Sequence, residues 1–512
     1  MTAEPQTPSL ARRTLAGAGW IMAWRMAARL LGFVNTLILA RVLVPADFGL
    51  LAIATAFAGV FESLSQFSVQ DALIRRRGDD TRLHDCAFTI QIGRALVTAV
   101  VMALFAPLAV KWFADPRLMP VVLVLAAATV LNGAENIGTV EFTRNMRFDM
   151  FFRILVVPRF LQVAVTVLVA WYTHSYWALL VGIIVQRGTR VALTYVVHPY
   201  RPRLSLQGWR ELAGFSFWLW AAGMASMVWD RSDTLIVGHY FGPVLLGLYT
   251  VGIQIAILPV MEIIAPLASV LLAGFSISQR TGGTATHNAL PLAAVLLLPM
   301  VPMALLLSSG SAYVLPLLLG GQWVKAGPLV AIAAATCIIA PIAYVASAVL
   351  TTIGQVRRQF YAVSAAAVFR VMVLVAAART ANLLWVVTAL LLSNAVEAIL
   401  YICQMRRTGH ALLRRSAPGL MRIGLAGLSA LLILSQIRGA WGHHGIDFHT
   451  HFSYVGDVLE LSVLAATAFA SFGSTLALLW FVSGRPEGPE SMALRLLREL
   501  AVGSKRASGA AQ

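Results

Sequence analysis

Long apolar runs separated by short polar connectors recur along the whole chain. A helix needs about 20 mainly apolar residues to cross the hydrocarbon of a bilayer. On that rule the pattern predicts fourteen spans, near 14–40, 48–70, 85–109, 118–140, 151–172, 175–197, 211–238, 244–274, 288–308, 328–352, 360–378, 383–404, 418–437 and 457–482. Runs of this length, without strict alternation, fit helices, which satisfy their own backbone in lipid, rather than barrel strands. The expected fold class is all-α, a polytopic membrane bundle.

One stretch repeats. NTLILARVLVPADFGL, Asn35 to Leu50, returns without a gap as DTLIVGHYFGPVLLGL, Asp233 to Leu248. Thr36, Leu37, Ile38, Pro45, Gly49 and Leu50 recur as Thr234, Leu235, Ile236, Pro243, Gly247 and Leu248. Each copy ends one apolar run, makes a Pro-containing turn and opens the next. An internal duplication is therefore expected.

Composition agrees with a bilayer protein: 59% hydrophobic and 12% charged residues in 512, with a mean hydropathy of +0.78, leave too much apolar side chain for one water-soluble core. The net charge of +17 does not point to nucleic acid, because most of the Arg lies in connectors, where it sets topology. With Arg153 and Arg422 assigned to the connectors they adjoin, the N-terminal tail, the even connectors and the C-terminal tail hold 25 Lys and Arg, and the odd connectors hold 6. The positive-inside bias then places both termini in the cytoplasm and requires an even number of spans. The first run is too long for a signal-peptide core and is read as an uncleaved span.

Six spans separate the first from the seventh, so the two copies enter the membrane from the same side and the duplication is parallel. The expected organisation is a cytoplasmic tail (1–13), a six-span lobe (14–197), a cytoplasmic linker (198–210), a second six-span lobe (211–404), two appended spans (405–482) and a basic cytoplasmic tail (483–512). MALRLLREL in that tail reads as a short basic amphipathic helix on the inner surface.

Eight arginines fall inside or at the ends of spans: Arg25, Arg29, Arg94, Arg159, Arg187, Arg190, Arg231 and Arg370. A helix-centre Arg costs roughly 2.5–3.5 kcal/mol on the insertion scale, so such residues need cavity water, a counter-charge or an anionic ligand. Arg25, Arg29, Arg94 and Arg370 look deepest and are the candidate substrate-binding cations; Arg187 and Arg190 read as lying near a span end. Arg25, Arg29, Gly32 and Thr36 share one helical stripe. A guanidinium suits phosphate or pyrophosphate; the alternative is structural pairing with intramembrane acids. Asp230, Arg231, Asp233, Glu262 and Glu397 are candidates for such pairs, Arg231 with Asp230 or Asp233 above all, or for binding a coupling cation. Glu62, Gln66, Asn132, Glu135, Asn136, Gln254 and Asn394 add further polar groups to the spans.

No metal site and no cofactor are expected. The loop WGHHGIDFHTHF offers His443, His444, Asp447, His449 and His451, but its spacing matches no metal motif and it reads as a solvated loop. Cys86, Cys337 and Cys403 lie far apart in or beside apolar runs, which fits neither a disulfide framework nor a thiolate site. P-loop, GxSxG and HExxH motifs are lacking, which argues against an enzyme.

LILARVLVPADFGLLAIATAFAGVFESLSQFSVQDALIRRR, DRSDTLIVGHYFGPVLLGLYTVG and GGQWVKAGPLVAIAA resemble bacterial polysaccharide flippases, the lipopolysaccharide or exopolysaccharide repeat-unit exporters of the multidrug/oligosaccharidyl-lipid/polysaccharide superfamily. The resemblance implies a transporter in the bacterial inner membrane that moves a polyprenyl-diphosphate-linked oligosaccharide between leaflets by rocking two six-helix lobes. Its implied partners are the lipid-linked oligosaccharide, membrane lipids, a polysaccharide polymerase and a chain-length regulator, and no nucleic acid. Two alternatives share parts of this picture: a cation-coupled multidrug exporter of the same superfamily, which would favour acids over Arg25 and Arg29, and a polymerase or ligase, which would need a larger outward loop than Arg438 to Asp457.

Overall fold

The computed structural model describes residues 10–64, 73, 81–145, 147–209, 217–264, 289–352, 356–406, 411–443, 454–486 and 488–494. Regular structure in them is helical. The α-helices are α1 (Leu10–Val42), α2 (Pro45–Leu64), α3 (Thr81–Phe113), α4 (Leu118–Gly133), α5 (Val140–Arg144), α6 (Phe148–Thr173), α7 (Trp177–Val197), α8 (Phe217–Ala256), α9 (Ala289–Leu319), α10 (Gly327–Ala333), α11 (Thr336–Thr352), α12 (Val356–Ala378), α13 (Leu383–Arg406), α14 (Ala411–His443) and α15 (Tyr454–Val482).

The all-α membrane architecture is as expected. Among the described residues ten helices are long and apolar enough to cross a bilayer, or up to twelve when each of two bent pairs is taken as one span, against the fourteen expected. Two causes separate the numbers. The first helix, α1, carries Arg12, Arg13, Arg25, Arg29 and Arg41 and is not among the ten. The seventh and eighth expected spans are counted together as α8, which is two helices joined across a kink at Gly242, φ 73° and ψ 179°, a conformation that glycine alone adopts without strain. Leu104, Phe160, Leu459 and Leu478, each more than 60% exposed, face outward from their helices, as a lipid-facing surface demands.

Two compact units divide the chain. The first is Met1–Met227 with Val237–Gly247, the second Val228–Ile236 with Leu248–Gln512. In the first unit, Leu39 of α1 and Leu43 just beyond its end pack on Ala170, Ala178 and Leu179. In the second, α14 and α15 pack on α9: Ala426, Ala430, Leu434, Leu464, Ala468 and Phe472 meet Ala294, Leu297, Val301 and Leu305. Small residues at four-residue spacing let these helices approach closely, and a Cβ on Gly427 would stand 3.0 Å from a Val301 methyl.

Both copies of the repeated turn lie in the first unit, and they face each other reciprocally. A Cβ on Gly49 would sit 1.8 Å from the Pro243 carbonyl oxygen, and a Cβ on Gly247 would sit 1.8 Å from the Pro45 carbonyl oxygen. Such reciprocity is the hallmark of a two-fold contact. His239 adds a hydrogen bond to the Trp112 carbonyl, 2.8 Å. The repeat is thus a point of contact as well as a sequence pattern.

The run His198–Ser205 after α7 lies along the start of α3. Tyr200 Oη donates to Asp85 Oδ1, Arg203 N–H donates to the same oxygen at 2.8 Å, and Ser205 N–H donates to Thr89 Oγ1 at 2.8 Å. Asn136 Nδ2 donates to the Tyr200 carbonyl at 2.7 Å. Because Tyr200 N–H donates to His198 Nδ1, the imidazole proton is assigned to Nε2, which reaches Glu141 at 3.2 Å. Burial, reinforced by Asp85, holds the Tyr200 phenol above its ordinary pKa.

The C-terminal segment docks on the start of α14. Arg422 and Glu490, both buried, form a bidentate pair at 2.8 and 2.9 Å, and Trp480 Nε1 donates to the Pro486 carbonyl at 3.2 Å. A bare backbone is needed where they meet, since a Cβ on Gly419 would stand 2.8 Å from Pro489. Arg422→Ala is expected to release this segment, because an unpaired Glu490 carboxylate moves into water rather than staying buried. Limited proteolysis should then cut the tail several-fold faster while the melting temperature of the bundle shifts little; Glu490→Gln, which keeps one hydrogen bond, should fall between. The rest of the basic tail from residue 495 on, and the His-rich loop from His444 to Phe452, lie outside the described residues.

Candidate functional site

The fourth expected span is not one helix. It breaks after Gly133, and Ile137–Arg144 leaves at 62° to Leu118–Gly133. The break releases carbonyls that lipid could not satisfy. Gln91 of α3 supplies the missing donor, with Nε2 reaching Gly133 O at 3.0 Å and Glu135 O at 3.2 Å. Asn136 caps the next turn by accepting from Gly138 N–H at 2.9 Å. The result turns Glu135 inward, where Arg190 of α7 meets it at 3.0 Å.

Glu62 of α2 holds a second ion pair. It accepts from Thr129 Oγ1 at 2.8 Å and lies 3.5 Å from Arg187. Glu62, Thr129, Glu135 and Arg190, with Arg94, Thr98 and Asn132, line a partly open cavity of about 340 Å³ between α2, α3, α4 and α7. Discontinuous helices around a polar cavity are how many transporters build binding sites.

A second feature of the first unit is cationic. Thr36 Oγ1 donates to the Gly32 carbonyl at 3.0 Å, and Gly32 faces Arg159 of α6, whose Nη2 would stand 3.0 Å from a Cβ there. Arg159 Nη1 donates to Gln162 at 2.9 Å. One turn before Gly32 on the same α1 face comes half-buried Arg29, and one turn before that comes exposed Arg25. Met22, Met26, Leu30 and Val34 are exposed on another face of α1, roughly 110° around at 100° per residue.

In the second unit Arg370 of α12 is buried among acids. Its guanidinium lies over the Trp229 ring at 4.4 Å, donates to Asn394 Oδ1 at 3.1 Å and stands 3.7 Å from Asp233 Oδ2. Tyr249 Oη donates to the same Asp233 oxygen at 2.9 Å. Asp230 and Glu397 lie within its electrostatic reach. The partner of Asp233 is therefore Arg370, not the neighbouring Arg231, because residues one or two apart on a helix do not face each other.

The expected cations thus fall into three places: Arg25 and Arg29 on the α1 face, Arg94 in the cavity, Arg370 in the acidic cluster. Asp230, Arg231 and Glu262 are exposed, and Glu397 is partly buried. Arg187 and Arg190, expected near a span end, lie within α7, and their three-residue spacing on one helix face is the sequence signal for the pair; Gln91 carries no such signal. Among the described residues no group of three or more His, Cys, Asp or Glu is placed to hold a metal.

The profile of a family described as "Polysaccharide biosynthesis protein" matches residues 38–328. The "Succinoglycan biosynthesis transport protein ExoT" of Rhizobium meliloti (strain 1021) is 22% identical over 331 residues, 64% of this chain and 67% of that protein. The "Lipopolysaccharide biosynthesis protein WzxC" of Escherichia coli (strain K12) is 23% identical over 62% of this chain and 65% of that protein. The chain thus spans about two-thirds of the length of these curated relatives. Among solved structures, a lipid II flippase MurJ in an inward closed conformation superposes with a TM-score of 0.67 at 12% identity, covering 88% of this chain and 98% of that one. An inward-facing multidrug resistance MATE family transporter gives 0.58 at 15% identity over 78% of this chain and 99% of that one. These two structures share the fold of this chain.

Proposed function

The chain belongs to the polysaccharide biosynthesis protein family, and on that premise we propose that it moves a polyprenyl-diphosphate-linked oligosaccharide from the inner to the outer leaflet of the bacterial cytoplasmic membrane by alternating access. The observation that carries this reading is the α1 face, where exposed Arg25, half-buried Arg29 and, across Gly32, Arg159 bring positive charge to one side of a helix in an otherwise apolar bundle. A diphosphate needs such charge, and guanidinium forks meet it bidentately. The polyprenyl chain stays in lipid and the sugars need a polar path. No chemistry on the cargo is required, so the protein acts as a transporter and not as an enzyme. Both termini are cytoplasmic in this reading, and a polymerase and a chain-length regulator are its partners downstream.

The names of the relatives point the same way: one is a succinoglycan transport protein, the other a lipopolysaccharide biosynthesis protein. A drug exporter dependent on acidic residues fits less well, because Asp233, the acid of the repeated stretch, is already paired with Arg370.

Deletion of the gene is expected to abolish the surface polysaccharide and to accumulate its lipid-linked intermediate in membrane extracts. Normal polymer with no accumulated intermediate, in a strain without a second flippase, would sink the proposal. Arg25→Ala and Arg29→Ala should each cut export by about tenfold, the size of one lost charge-assisted hydrogen bond, while the protein still inserts. Lysine at either position should retain part of the activity. Full export by the double alanine variant would remove the α1 face from the mechanism.

A further inference from the structure

The cavity at the broken fourth span does not have the chemistry of an anion site. Its ionisable lining, Arg94 and Arg190 against Glu62 and Glu135, is formally neutral, and Arg187, which is not part of that lining, is paired with Glu62. The carboxylates would repel a diphosphate, and Glu135 already neutralises Arg190. A metal ion is equally disfavoured, since both carboxylates are engaged by Thr129, Arg187 and Arg190.

Two donor groups still face unmet hydrogen bonding. Arg190 Nε is buried without a partner. The Asn132 side chain, exposed on the cavity wall, makes no hydrogen bond among the described residues. The wall therefore contains donors, acceptors and groups that are both. A hydroxyl donates once and accepts twice, so a polyol is the ligand that such a wall satisfies. The volume, about 340 Å³, is at the lower end of the roughly 300–1,000 Å³ of small-molecule sites, which suits part of a glycan rather than a whole repeat unit.

From this cavity we propose that the first unit carries a subsite for uncharged sugar hydroxyls, separate from the arginine face that takes the diphosphate. The inference rests on the flippase reading and divides its cargo into two recognition elements. Discrimination between glycans then falls to Asn132, Glu62, Glu135 and Arg190, while Arg25 and Arg29 accept any polyprenyl diphosphate.

The test is binding to the purified full chain in lipid nanodiscs, with two probes: the lipid-linked oligosaccharide extracted from the deletion strain, and undecaprenyl diphosphate, which has no sugar. Asn132→Ala should weaken the first about five- to tenfold and leave the second within about twofold of the unsubstituted protein. Asn132→Trp, which fills the cavity from an exposed position, should abolish the difference between the probes. Substitutions that weaken both probes equally, or neither, overturn the subsite and leave the flippase reading standing. An unsubstituted protein that binds neither probe overturns both.

Discussion

Gly49→Ala and Gly247→Ala are each expected to destabilise the first unit by at least about 3 kcal/mol, the upper end of the overpacking range. The reason is what a new methyl would meet: a backbone carbonyl oxygen 1.8 Å away, Pro243 in one case and Pro45 in the other. A side chain could rotate aside, but a carbonyl fixed between a proline and a helix cannot. The two backbones must separate, and packing around Ile53 and Gly238, which are also in close approach, goes with them. The double variant should cost clearly less than the sum, because the first methyl has already opened the gap that the second needs. Gly93→Ala is the control: its Cβ would meet nothing within 4 Å, and alanine is the better helix former by about 0.5–1 kcal/mol. Melting temperatures in detergent for the four proteins decide the matter, and strict additivity of the two glycine variants would refute the reciprocal contact.

Arg370→Ala is expected to be the most damaging substitution in the second unit. Removing one partner from a buried charge cluster costs about 3–5 kcal/mol, because the remaining charge is left uncompensated. Here Asp233 would lose its ion pair, Asn394 its donor and Trp229 its cation, with Asp230 and Glu397 still close by. Asp233→Asn on its own should cost less, and combined with Arg370→Ala it should restore much of the lost stability. Arg370→Lys should be intermediate, since an ammonium cannot reach Asn394 and Asp233 with the same planar fork. Thermal unfolding, with expression and insertion as controls, reads all four. A double variant as unstable as Arg370→Ala would show that Asp233 is not the residue it compensates.

Much of the architecture is legible in the sequence because hydrocarbon imposes its rule on each segment separately: a run such as Ala289–Leu319 announces a span without reference to the rest of the chain. The repeated turn is legible too, since Pro45, Gly49, Pro243 and Gly247 are turn-forming residues at matched spacing. What could not be read is decided by distant partners. Leu131-Asn132-Gly133-Ala134-Glu135 looks like continuous helix, and it breaks because Gln91, more than forty residues earlier, satisfies the freed carbonyls. Arg187 and Arg190 read as span-end charges in the sequence because their partners, Glu62 and Glu135, are distant in the chain. Asp233 had a neighbouring arginine in the chain, and periodicity alone should have excluded it. The candidate site is legible as a set of polar residue types and illegible as a set of pairs.

The run from His198 to Ser205 has a mechanical consequence. A polar connector of this length would ordinarily behave as slack coil, absorbing any motion of the helices on either side. This one is fastened at Asp85, Thr89 and Asn136. It is a strut rather than a string: through it the end of α7 is tied to the start of α3 and to the break after α4.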